Sequence, residues 1–378
     1  MSDKTIQLLR DLIAIDSVNP TLVPNANGEG EIARSIGQLL HAGGLDVEMQ
    51  DVAPGRMNVI GVLEGRQKGK SLMFCGHMDT VGVTGYDSPF DPVLKDGRIY
   101  GRGSQDMKGG LASMIGAALE ISKNAGLKQG RIVVAAVVDE EYASIGADTL
   151  VTKWKADAAV VGEPTDMKIA VGHKGFEWVD VTVHGVAAHG SRPKDGRDAI
   201  MRMGRVLSKL EKLDGEIQCR HPHPIMGTGS LHASFIKGGK ELSTYPDVCS
   251  MQMERRTISG EPDKCALHEV EKILEELRRE DPEFQASAKF MFSRPPYETP
   301  ANHELPRLIE NAVAHQKRTP ERGGMTFWTD AAVLGHAGIP SVVFGPGGAG
   351  LHSISEYVLA DDVTACKDAL IELARDFC

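Results

Sequence analysis

Apolar positions in the first part of the chain switch between two spacings. Over residues 5–13 they recur at helical intervals (Ile6, Leu8, Leu9, Leu12, Ile13), and residues 30–42 read the same way, so both stretches are predicted helices. Residues 57–63 and 71–75 are short apolar runs instead, and 132–138 is a continuous apolar run rich in β-branched side chains, as in a strand buried on both faces. A long helix is predicted over 108–123. Helices alternating with buried strands predict an α/β domain, a central sheet flanked by helices.

The texture changes near residue 175. Phe176, Trp178, Val179, Val181 and Val183 follow a strand-like alternation, a helical pattern covers 198–213, and two more strand-like stretches cover 230–236 and 248–256. A charged helix is predicted over 262–280. This order fits a small α+β unit. Buried-strand texture returns at 339–344, followed by a glycine-rich loop and a last helix over 361–377. The expected organisation is a discontinuous domain of residues 1–175 and 293–378, with an inserted α+β domain of residues 176–292.

Composition narrows the function classes. A length of 378 residues with 41% hydrophobic content suits two domains. Fifty-two acidic against 42 basic residues give a net charge of −10, and no dense basic stripe is present to neutralise a phosphate backbone, so nucleic acid is excluded as a partner. No apolar run reaches bilayer length and residues 1–5 lack the secretory pattern, so no membrane is involved and a cytoplasmic enzyme is expected. The six cysteines form no Cys-x-x-Cys pair, so a metal site would have to use histidine and carboxylate.

Such residues recur where strands end, which is where α/β sheets collect ligand-binding groups. Gly76-His77-Met78-Asp79 follows the 71–75 run; His77 could bind metal with Asp79 holding its other ring nitrogen, or the segment could be a plain turn. Asp106 precedes the long helix, as an N-cap or as a carboxylate bridging two metals. Asp139-Glu140-Glu141 ends a buried strand, where three acids repel unless something positive lies among them; a solvated turn is the alternative. Glu163 follows another apolar strand, and His352 follows 342–344 through the glycine loop. His77, Asp106, Glu141, Glu163 and His352 together offer imidazole and oxygen donors for two divalent metals, with zinc first and cobalt or manganese as alternatives.

These segments, together with Ser88-Pro89-Phe90-Asp91-Pro92 and Gly162-Glu163-Pro164, resemble the M20 family of co-catalytic metallopeptidases across nearly the whole chain, in the pattern of its acetylornithine deacetylase and succinyl-diaminopimelate desuccinylase branch. The resemblance implies that Asp106 bridges the metals, that His77 and Glu163 complete one site, and that Glu141 and His352 complete the other. It also implies Glu140 as general base and Asp79 as the residue orienting His77. The inserted domain would be a lid and dimerisation domain, with His189 stabilising the oxyanion across a homodimer and Arg256, rather than Arg255, holding the substrate carboxylate. Where many members carry asparagine ahead of the lid proline, this chain has Ser243 in Leu242-Ser243-Thr244-Tyr245-Pro246, which makes Ser243 a candidate substrate contact.

The implied reaction is hydrolysis of the amide of an N-acyl amino acid, with Glu140 taking a proton from the attacking water and passing it to the leaving amine. Dipeptidase, aminoacylase and glutamate carboxypeptidase-like activities would share the metal site and differ in pocket residues such as Thr329 and Gly348. Gly345-Pro346-Gly347-Gly348-Ala349-Gly350 also satisfies a dinucleotide fingerprint, but only one helix follows it, which rules that reading out. A catalytically silent binding relative is the remaining alternative.

Overall fold

The computed structural model describes residues 4–124 and 126–378. They divide into two compact units: residues 4–124, 126–172, 298–324 and 329–378 form the first, and residues 173–297 with 325–328 form the second. The junctions fall a few residues from those expected from texture, and the short return of 325–328 to the second unit had no signal in the hydropathy.

The first unit is a mixed α/β fold with a central mixed sheet. Seven of its nine described strands follow the spatial order Asp46–Ala53, Arg56–Glu64, Arg131–Val137, Ser71–His77, Ala158–Val161, Ser341–Val343, Ile169–His173. The four from Arg131–Val137 to Ser341–Val343 run parallel to one another, and every residue of Ser71–His77 is buried. Continuous apolar runs are what strands covered on both faces require. Helices Lys4–Ile13, Gly109–Lys123, Leu305–His315 and Ala360–Phe377 pack against one another, while Gly30–Ala42 packs on the Arg56–Glu64 strand. Among the described residues no helix is long and apolar enough to cross a membrane.

Two features of this unit position the chemistry. A Cβ on Gly110 would lie 1.8 Å from the carbonyl oxygen of Gly162, so only glycine lets the helix start meet the end of the Ala158–Val161 strand. The second is a small sheet ordered Gly348–Ala349, Tyr357–Leu359, Arg98–Tyr100, Val93–Lys95, which seats the chain leading to Asp106 beside the loop that carries His352. Its strands are two or three residues long, too short to leave a periodic signal.

The second unit is a four-stranded antiparallel sheet in the order Ser230–Gly238, Val248–Thr257, Gly175–His184, Gln285–Arg294. Val179, Val181 and Val183 alternate inward and join Met251 and Met253 in a core closed by helices Ala199–Gln218 and Cys265–Glu280. The Asp198 side chain accepts the Met201 amide and caps the first of these helices. Ser230–Gly238 is an edge strand with Phe235 and Ile236 exposed.

Candidate metal centre

Strand ends and one turn bring the sequence-expected ligands of the first unit together. His77 is the last residue of its strand and is buried. Its Nδ1 lies 2.9 Å from the backbone carbonyl of Asp79, an atom that can only accept, so Nδ1 carries a proton. Nε2 then faces Asp106 Oδ1 at 3.1 Å and Glu163 Oε1 at 3.7 Å, with Glu140 Oε2 at 4.0 Å.

Asp106 is not a helix cap. It sits with φ −116° and ψ 99° ahead of Gly109–Lys123, whose N-cap is Lys108, and its peptide bond to Met107 is cis. Both of its carboxylate oxygens meet a histidine: Oδ1 faces His77, and Oδ2 lies 3.2 Å from His352 Nε2. His352 Nε2 is also 3.1 Å from Glu141 Oε2. Two triads result, His77-Asp106-Glu163 and Asp106-Glu141-His352, each with ligand atoms within 4.8 Å of one another and with Asp106 common to both.

The electrostatics of the cluster call for positive charge. Burial pushes the Glu163 and Glu140 carboxyls well above their ordinary range, with neighbouring carboxylates adding to the effect. Burial and Asp106 raise Glu141 to about 7. Burial would also raise Asp106, but hydrogen bonds from His352 and His77 outweigh it and hold Asp106 below its usual range. Hydrogen bonds to Asp106 and Glu141 lift His352 to about 10, and for His77 the surrounding acids outweigh the burial that opposes its charged form. Glu163 Oε1 is buried and has no hydrogen-bond partner among the described residues. A neutral His77 would aim its Nε2 lone pair at a carboxylate oxygen, which only a proton or a cation between them relieves. The residues therefore fit a pair of divalent cations.

Residues 73–376 match the model of peptidase family M20/M25/M40. The chain belongs to that family. It is 32% identical to an acetylornithine deacetylase of Myxococcus xanthus over 358 residues, 90% of each chain. Among solved structures it superposes on a tripeptidase of Staphylococcus aureus with a TM-score of 0.82 at 22% identity, over 99% of this chain and 97% of the other. A dinuclear metal-binding M20 peptidase of Bacillus subtilis gives a TM-score of 0.75 at 18% identity, over 99% and 97%.

In this M20/M25/M40 chain the expected role of Asp79 takes a different form. Its carboxylate oxygen is 3.6 Å from His77 Nδ1, because the backbone carbonyl of the same residue already occupies that nitrogen. The carboxylate instead accepts the amides of Glu140 and Glu141, each at 3.2 Å, and the Asn19 side chain at 2.8 Å. Asn19 also reaches Asp139 at 3.1 Å, and Arg56 pairs with Asp139 at 2.8 Å and with buried Glu29. Asp139 holds a left-handed φ of 70°, which turns the two glutamates out of the strand end.

Asn19, Arg56 and Glu29 had no signal in the sequence, since isolated polar residues do not reveal their burial. Thr329 is buried and its hydroxyl accepts the Ala331 amide at 3.2 Å, while Gly348 lies in the small sheet, where a Cβ would stand 2.2 Å from the Tyr357 carbonyl.

His189, Ser243 and Arg256 belong to the second unit. The first two neighbour each other: the Gly190 amide donates to the Ser243 carbonyl at 2.7 Å, and His189 Nδ1 lies 2.8 Å from the Ser191 hydroxyl. Arg256 is 30% exposed, pairs with Glu254 at 2.6 Å and lies over the Phe176 ring. Arg255 is fully buried and committed to Glu261 and Glu269.

Proposed function

We propose that the chain is a two-cation amidohydrolase that removes the acyl group from an N-acyl amino acid, in the manner of an acetylornithine deacetylase. The observation that carries this is the Asp106 carboxylate between His77 and His352, with Glu140 4.0 Å from His77 Nε2 and outside both triads. The two cations, zinc by donor set with cobalt or manganese as alternatives, would be held by His77, Asp106 and Glu163 and by Asp106, Glu141 and His352. When bound they supply Lewis acidity to the scissile carbonyl and acidify the attacking water.

Glu140 takes the proton from that water at its carboxylate and returns it to the leaving nitrogen. Asp79 holds the Glu140 amide and so fixes where that carboxylate stands. Arg256 is proposed to bind the substrate carboxylate, a task suited to a partly exposed guanidinium on an aromatic face, and His189 to stabilise the oxyanion. Ser243, Thr329 and Gly348 are proposed to shape the substrate pocket. We further propose a cytoplasmic homodimer formed through the second unit, a reading supported by the exposed Phe235 and Ile236 of its edge strand.

A screen on zinc-reconstituted protein tests the substrate class, using N-acetylornithine, N-succinyl-diaminopimelate, other N-acyl amino acids and simple dipeptides. We expect kcat/KM for an acyl amino acid to exceed that for dipeptides by at least about tenfold. A preference for dipeptides makes the chain a peptidase, and no turnover of any member overturns the enzymatic reading.

A further inference from the structure

One buried ion pair of the first unit lies outside the ligand set yet grips two of its members. Glu356 is fully buried, and both of its oxygens are filled. Oε2 accepts Arg102 Nη1 at 2.6 Å and the Gly103 amide at 3.0 Å. Oε1 accepts the amides of Gln105 at 2.9 Å and of Asp106 itself at 3.1 Å. Three amides of the turn that presents Asp106 thus converge on one carboxylate, four residues along the chain from His352.

Arg102 closes the arrangement from the other side. It is 3% exposed, and its Nη2 donates to the carbonyls of Gly82 at 3.1 Å and of His352 at 3.4 Å. His352 has a left-handed φ of 61°, a conformation that an L residue keeps only when its surroundings hold it there. One ion pair therefore ties the backbone of the shared carboxylate to the backbone of the exposed histidine it faces.

We propose that Glu356 and Arg102 are positioning residues that hold Asp106 and His352 in register, so that one carboxylate can serve two cations. This rests on the two-cation reading above. The physical reason for a full carboxylate is capacity: four donors meet two oxygens, which an amide side chain cannot match because its nitrogen donates rather than accepts. The reason for arginine is its fork, which serves Glu356 and two carbonyls at once where a lysine ammonium is a point charge.

The test is a calorimetric Zn2+ titration of wild type, Glu356→Gln and Arg102→Lys after chelation, paired with thermal melts with and without Zn2+ and with kcat and KM. We expect wild type to take up two equivalents. In the variants, affinity for at least one equivalent should fall about 10- to 100-fold, the rise in melting temperature on adding Zn2+ should shrink, and kcat should drop with KM little changed. Wild-type Zn2+ affinity in a folded variant, with the melting temperature lowered equally with and without metal, would show a purely structural pair and overturn the proposal. If Glu356→Gln does not fold, Arg102→Lys, which keeps the charge, decides by the same two outcomes. A wild-type protein that takes up no Zn2+ removes the underlying two-cation reading instead.

Discussion

His77 and Asp79 meet through the main chain: the ring nitrogen lies 2.9 Å from the Asp79 carbonyl and 3.6 Å from the nearer carboxylate oxygen, which is turned toward the acid pair. The imidazole is thus fixed by an atom that no side-chain substitution removes. Asp79→Ala should leave Zn2+ uptake through His77 in place, yet lower kcat, because the amides of Glu140 and Glu141 lose their acceptor. Zn2+ stoichiometry measured beside kcat checks this. Loss of a Zn2+ equivalent with unimpaired Glu140 chemistry at the remaining one would return Asp79 to the role of ring orienter.

Glu140 differs from its neighbours by standing near the cluster without belonging to either triad. Glu140→Gln keeps its volume and removes the proposed base, so kcat should fall by about 10²- to 10⁴-fold while two Zn2+ equivalents still bind. Glu163→Gln should do the reverse in order of cause, weakening Zn2+ binding first, with activity following metal content. Parallel Zn2+ titration and rate measurement on both variants separate base from ligand.

How much of this was legible in the sequence depends on what each residue depends on. The parallel strands could be read because burial on both faces demands unbroken apolar runs such as 132–138, and His77 and Glu163 could be proposed because one ends such a run and the other follows one by two residues. The choice between cap and ligand for Asp106 could not be read from spacing and rested on the resemblance alone, because it turns on two residues of non-helical backbone, Asp106 and Met107, at the head of a helix. Nor could Glu356, which is buried by a partner 254 positions away. The Asp79 carboxylate was expected on the imidazole because spacing places the residue correctly but says nothing about which of its atoms arrives.

Adjacent arginines on one strand give opposite predictions in the second unit. Arg255 is fully buried between the partly exposed Glu261 and Glu269, so Arg255→Ala empties a buried site and leaves the two acids with their longer contacts to Arg220, which should cost about 1–3 kcal/mol of stability. Arg256 faces the other way, partly exposed over Phe176. Arg256→Ala should leave the urea midpoint close to wild type and raise KM for a substrate carrying a carboxylate. Denaturation and kinetics on the two variants check the division, and a destabilised Arg256→Ala with unchanged KM would refute it.

With the cations chelated, the acid cluster should control how stability depends on pH. Glu140, Glu141 and Glu163 hold protons above the ordinary carboxylate range because of burial and mutual repulsion, Glu141 at about 7, and His352 is raised to about 10 by its two carboxylate partners. A group raised in the folded state gives stability that is complete below its unfolded pKa and is lost as pH climbs through the folded value. All four therefore act in one direction: the chelated protein should melt at progressively lower temperature as pH rises from about 5 toward 7, above which buried Lys108, lowered to about 7, begins to oppose them. Asp106 has the opposite sign, but its shift is downward, so its loss is confined to acid below the ordinary aspartate pKa. On the proposed two-cation reading Zn2+ would take the place of those protons, so its stabilising increment should grow as pH rises and competition for the ligands falls. Melting curves across that range, with chelator and with Zn2+, should diverge toward high pH; parallel curves would mean that the carboxylates do not carry the protons their burial assigns them.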